Sequence, residues 1–179
     1  MKKLLLTILF FSIIKTSFSQ DKIGKPFITG SVNLTFGLNE NYVLFQPDDE
    51  EYLLDLNAIF FRTGFGYEFN KRIAVSINAG IDYHWNYAVS AIPTYGALRY
   101  NINENHGNSL FIEGSYGKMW RLSSKYTDGK YYGFGIGIQS AGSGRWDTII
   151  RLDFHRKTVL GFENNRIDSV SLGIGFSFF

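Results

Sequence analysis

Few residues in this chain have the type and spacing to act on a substrate. There are three histidines, His84, His106 and His155, and no cysteine. No His-x-His or Glu-x-x-His spacing occurs, and without paired imidazoles or thiolates neither a transition-metal site nor a metal cofactor is expected. The acidic run Asp48-Asp49-Glu50-Glu51 could attract Ca²⁺. A calcium loop, however, alternates its oxygen ligands and turns on a glycine; this run does neither and reads as a solvated loop. Gly-x-Gly pairs recur, as in Gly133-Phe134-Gly135 and Gly173-Ile174-Gly175, but they alternate within extended segments and open no helix, so they form no phosphate cradle. The charges inside regular segments are Arg62, Glu68, Asp82, Arg99, Glu113, Arg121, Arg151 and Asp153. Both signs are equally represented, which suits mutual neutralisation.

The segments that position these charges have a period of two, the side-chain repeat of a β-strand. In the last one, Val170, Leu172, Ile174, Phe176 and Phe178 alternate with Ser169, Ser171, Gly173, Gly175 and Ser177. The clearest runs from Ile73 to Trp85, where Ile73, Val75, Ile77, Ala79, Ile81, Tyr83 and Trp85 oppose Ala74, Ser76, Asn78, Gly80, Asp82 and His84. The same division appears around Ile28 to Leu38, Ala58 to Phe69, Ile92 to Ile102, Tyr132 to Gln139 and Asp147 to His155. Around Leu110 to Leu122 the pattern holds except that Phe111 and Met119 fall on the small side. Eight strands of about ten residues result, with connections alternately long and short, the rhythm of hairpins in an antiparallel up-and-down barrel.

Ahead of them, Lys2 and Lys3 precede an apolar run from Leu4 to Ile14 and then Ser17-Phe18-Ser19. That is a secretory signal cut before Gln20, leaving residues 20–179 as one barrel domain; the apolar run is well short of the roughly 20 residues of a spanning helix. Losing Lys2, Lys3 and Lys15 leaves 15 basic against 16 acidic residues, so there is no basic field for nucleic acid. Without cysteine, stability has to come from hydrogen bonding and packing.

Eight alternating strands also describe soluble exported ligand-binding barrels, so the question is which face meets solvent. The polar face holds Gly, Ser, Asn and Thr with arginines and acids, whereas strand lysines are nearly confined to Lys118 and Lys157. Glycine weakens a strand unless something needs the space, and a narrow lumen does. The opposite face is bulky, with Tyr67, Phe69, Tyr83, Trp85, Tyr100, Trp120, Phe176 and Phe178 toward strand ends, as in the aromatic girdles of a membrane barrel. The expected fold is an all-β, eight-stranded antiparallel up-and-down transmembrane β-barrel. Within it, His155 is expected to face the lumen beside Asp153 or Glu113, and His84 to be a polar residue near a strand end. Eight strands leave room only for side chains, so charged pairs are expected to plug the lumen.

With the signal, the hairpin series and the terminal Gly-Ile-Gly-Phe-Ser-Phe-Phe, the chain resembles the small eight-stranded outer-membrane β-barrel proteins of Gram-negative bacteria. That resemblance implies a porin-like monomer in the cell outer membrane, in contact with outer-membrane lipid including lipopolysaccharide. It also implies that the closing strand, with Phe179 as its terminal aromatic, is read by the barrel-assembly machinery; Phe178, however, shares the phase of the outward residues. A structural or surface-loop binding role follows, through Asn39 to Asp55, Asn86 to Ser90, Ser123 to Lys130 and Thr158 to Asp168. The segment from His155 through Asp168 to Leu172 also resembles the end of the lipid A 3-O-deacylases, which would make His155 a base and Asp168 its orienting acid. Lys157 stands at the serine position of that family, so the nucleophile is missing.

Overall fold

A computed structural model describes residues 24–38, 54–86, 89–105, 108–122, 128–142, 144–158 and 165–179. The signal segment, His106 and the acidic run from Asp48 to Glu51 lie outside them. Eight strands follow one another: β1 (Lys25–Leu38), β2 (Leu54–Asn70), β3 (Ile73–His84), β4 (Val89–Asn105), β5 (Asn108–Arg121), β6 (Gly129–Ala141), β7 (Trp146–Thr158) and β8 (Arg166–Phe178). Each pairs antiparallel with the next, and β1 pairs with β8, closing the barrel. Closure removes both sheet edges, so the strand backbones satisfy their own hydrogen bonds.

The two faces of each strand part as the period of two requires. Ile77 is 76% exposed, Phe65 61% and Ile174 57%, while Asn33, Asp82, Glu113 and Ser171 are buried. An exterior of Ile, Leu, Val and aromatic side chains around a polar interior is the inverse of a soluble barrel and fits hydrocarbon outside.

Three β-bulges explain where strand ends escape the alternation. On β2 the ladder steps from Thr35↔Ala58 to Phe36↔Leu56, leaving Asn57 as the extra residue. Asn57 and Ala58 are therefore both buried, and Leu54 and Leu56 carry the outward face on the opposite parity. Further shifts fall between Glu68 and Asn70 and between Asn101 and Asn103. The sharp β2–β3 turn is held by Asn70, whose Oδ1 accepts the backbone N–H groups of Arg72 (2.8 Å) and Ile73 (2.7 Å). Ahead of β8, Asn165 adopts φ 51°, a region that asparagine tolerates better than most residues.

Phe111 and Met119 are lumen residues, 0% and 3% exposed. Met119 packs with Ala91 and Ile167 toward the long-connection end. Phe111, Phe27 and Ile149 are buried toward the other end. Each mouth of the interior thus holds a large apolar side chain among its buried polar residues, and these two interrupt the small-residue pattern. Phe178 is outward, in register with Ile28 and Trp146. Phe179 lies past the strand: its N–H donates to Arg145 O at 2.9 Å, its ring centroid lies 6.0 Å from that of Phe27, and Lys25 Nζ sits 3.4 Å from its centroid. The final phenylalanine keeps the inward parity of Ser177, which is why it differs from outward Phe178 and meets the lumen residue Phe27.

Candidate functional site

Two surfaces of the barrel hold its chemistry, the lumen and the outer wall. Toward the long-connection end of the lumen, Arg62 Nη1 on β2 pairs with Asp82 Oδ1 on β3. Lys157 Nζ on β7 reaches Asp82 Oδ2 at 2.5 Å and lies 2.9 Å from His84 Nε2. Phe60 fills the space among them, its centroid 3.7 Å from Lys157 Nζ and 5.2 Å from the His84 ring. Lys157 and Asp82 are essentially inaccessible; charges so buried persist only when paired.

The second charged group lies nearer the short-turn end. Glu113 on β5 accepts from Arg99 Nε at 3.1 Å and from Arg151 Nη2 at 2.9 Å. Arg151 also grips Asp153, with Nε to Oδ2 at 2.6 Å and Nη2 to Oδ1 at 2.7 Å. Gln139 extends the chain, accepting from Arg99 Nη1 at 2.9 Å and donating to Asp147 Oδ2 at 2.8 Å. Arginine suits these positions because its planar fork bridges two acceptors at once.

Between the two groups stand Tyr95 and Tyr131, ring centroids 4.6 Å apart, and His155. The Tyr131 hydroxyl is 2.7 Å from His155 Nδ1, and His155 Nε2 is 2.7 Å from Ser171 Oγ. Two voids among these described groups measure about 10 Å³ and 20 Å³, space for about one water each.

His155 faces the lumen as its phase predicts, but its partners are Tyr131 and Ser171 in place of Asp153 or Glu113. His84 ends β3, yet it is buried against Lys157. Arg121 has the lumen phase but emerges, exposed, at the end of β5, beyond the closed section; Lys157 takes the inward place among the buried cations. Asp168 lies on the other side of the wall. It is bonded across the ladder to Arg156, with Nε to Oδ1 at 2.8 Å and Nη2 to Oδ2 at 2.7 Å. The structure therefore does not bring His155 and Asp168 together: one residue points inward and the other outward. Ser171 does meet His155, but it is 0% exposed, so no acyl ester can approach its hydroxyl in this arrangement.

Sequence reasoning passed over Tyr131 and Asn57. Tyr131 lies just before the point where the glycine alternation of β6 makes the face visible, and Asn57 is the bulge residue itself. Parity extended backward from Gly133 would have found Tyr131; nothing local marks Asn57.

On the outer wall Gly96 and Gly114 project outward, and they floor an open groove of about 1010 Å³ walled by Leu98, Tyr116, Tyr132 and Phe134. Arg156 and Thr158 mark its end toward the long connections. Outside the strands, Asp128 is held below the usual carboxylate range, first by the Arg121 N–H and then by Lys118, whose ammonium is 3.4 Å away.

No family model matches the sequence, and no curated protein matches it. Among solved structures, Neisserial surface protein A (NspA) aligns with a TM-score of 0.63 at 10% identity, over 88% of this chain and 99% of that one. The solid-state NMR structure of outer membrane protein AlkL aligns with a TM-score of 0.48 at 12% identity, over 89% of this chain and 92% of that one. Ail, the attachment invasion locus protein of Yersinia pestis, aligns with a TM-score of 0.46 at 16% identity, over 88% and 100%. Strand order, closure and the likeness to NspA define the class: an eight-stranded transmembrane β-barrel with the fold of the small outer-membrane barrels.

Proposed function

We propose that the protein is exported by cleavage before Gln20 and resides in the outer membrane as a monomeric barrel with both termini periplasmic. Its role is structural or binding, exercised through the long connections at the cell surface. The lumen is closed to solutes, and the barrel-assembly machinery engages the closing strand. The observation that carries this reading is the combination of an apolar exterior with an interior of paired charges, where two voids among the described residues are only about 10 Å³ and 20 Å³. A channel needs continuous water, and eight strands leave space for little beyond side chains.

The test has two arms. In planar bilayers the reconstituted protein should give no steady solute-sized conductance, and a stable open pore in the unsubstituted protein would overturn the closed lumen. In cells, mass spectrometry of lipid A should show the same acyl pattern with and without the protein. An acyl chain lost only when the protein is present, and restored by His155→Ala, would replace the structural role with a deacylase-like hydrolase.

A further inference from the structure

The groove on the outer wall lies below a belt of cations that the ladder places in order. Outward positions in register run Thr94, Lys118, Lys130, Thr158 and Arg166 across β4 to β8. One step further from the long connections the row is Gly96, Tyr116, Tyr132, Arg156 and Asp168; the next holds Leu98, Gly114, Phe134 and Phe154. Among the described residues of this sector stand four cations, Lys118, Lys130, Arg156 and Arg166, and two acids: Asp128 pairs with Lys118, and Asp168 with Arg156 and Arg166. At the same end of the wall β1 to β4 present Phe36, Leu38, Leu56, Tyr83 and Ile92. Among the described residues, the positive charge at this end of the wall therefore lies on β5 to β8, the half that shares the groove's strands.

We infer that this sector binds one lipopolysaccharide molecule through the phosphates of its lipid A, with an acyl chain laid over Gly96 and Gly114. The inference rests on the outer-membrane reading, which puts the long-connection end in the leaflet where that lipid resides. Three features favour this occupant over a neutral lipid or a second barrel. An ideal Cβ at Gly114 would meet no atom within 4 Å, and one at Gly96 only Ser76 O at 4.0 Å. The floor is thus open, and nothing in the barrel's own packing requires glycine at Gly114. Tyr116 and Tyr132, ring centroids 5.2 Å apart, stand between groove and cations at the level where amphipathic rings meet headgroups. The belt spans three strand spacings from β5 to β8, about 15 Å, wide enough for a headgroup with two separated phosphates. Lys118 and Lys130 suit phosphate as flexible point charges, whereas the Arg156 fork is held by Asp168. Two acids leave the sector with net positive charge, which a second copy of the same surface would repel.

Native mass spectrometry of the full barrel in neutral detergent, titrated separately with bisphosphorylated lipid A, phosphatidylglycerol and phosphatidylcholine, tests this. One bisphosphorylated lipid A per barrel should be retained well above the other two. Lys118→Gln with Lys130→Gln should weaken that binding roughly thirtyfold, the scale set by two membrane-surface cations. Gly114→Leu, whose Cβ would meet no atom within 4 Å, should weaken it roughly tenfold while heat-modifiable migration stays intact. Equal retention of phosphatidylglycerol, unchanged binding in both variants, or a dimer that Gly114→Leu abolishes would each overturn the inference. Failure of the underlying reading would look different: the unsubstituted protein would form no heat-modifiable, bilayer-inserted barrel before any lipid A is added.

Discussion

At the scale of single residues, the lumen is governed by what an unpaired charge costs away from water. Asp82 is met by Arg62 from the adjacent strand β2 and by Lys157 from β7 across the lumen, so it compensates two cations from opposite walls of the barrel. Asp82→Ala should destabilise the barrel by about 3–5 kcal/mol, because it leaves two buried cations facing an apolar gap. Urea unfolding from lipid vesicles measures this, and a loss below about 1 kcal/mol would show that water already screens the site. The double change Asp82→Ala with Lys157→Met should recover part of the loss, since it removes a charge along with its partner. His155 sits among Tyr131, Ser171 and Phe60, and its role is to fill and connect. His155→Phe should therefore leave barrel assembly intact and lower stability by about 1–3 kcal/mol, the cost of hydroxyls left without partners.

At the scale of strands, two positions separate a lipid-facing wall from a soluble one. Ile77 in the middle of β3 is the most exposed of the large apolar residues. Ile77→Lys should cost about 2–4 kcal/mol in a bilayer if the position lies near its midplane, whereas on a soluble barrel it would be neutral or help solubility. Refolding yield and urea midpoint in vesicles against detergent report the difference. Inside the same wall, a Cβ at Gly137 would lie 2.4 Å from the Phe111 ring and 2.7 Å from Ile150 O. Gly137→Val should thus block closure between β5 and β6, seen as loss of heat-modifiable migration. Nearly all of this wall was legible in the sequence, because one face of every strand must be apolar and the other must leave room, and alternation records both constraints. What escaped were the places where alternation itself breaks. The bulge at Asn57 reverses parity, so Leu54 and Leu56 look like loop. The strand read as Ile92 to Ile102 runs on to Asn105, since the bulge near Ile102 carries β4 past it. Polar residues at a barrel end pair as readily as they turn. Partners within the lumen were the least legible: His155 and Ser171 share a face by parity, but their 2.7 Å contact depends on strand tilt and stagger, which no local pattern encodes.

At the scale of the molecule, the two faces amount to a choice of solvent. A closed ring of strands has no unpaired edge, so it can stand in hydrocarbon; in its interior, cations and carboxylates are interleaved from β2 to β7. Because the chain has no cysteine, each thiol introduced singly is unique, and the faces can be mapped one position at a time. The most direct measurement is a scan of β8 with single cysteines carrying a fluorophore, in vesicles that contain a lipid-borne quencher. The account predicts strong quenching at positions 172, 174 and 176, in place of Leu172, Ile174 and Phe176. Little quenching and slow reaction with water-soluble maleimide are predicted in place of Ser171 and Ser177. Ready maleimide labelling at positions 172, 174 and 176, with no period of two in lipid quenching, would contradict it.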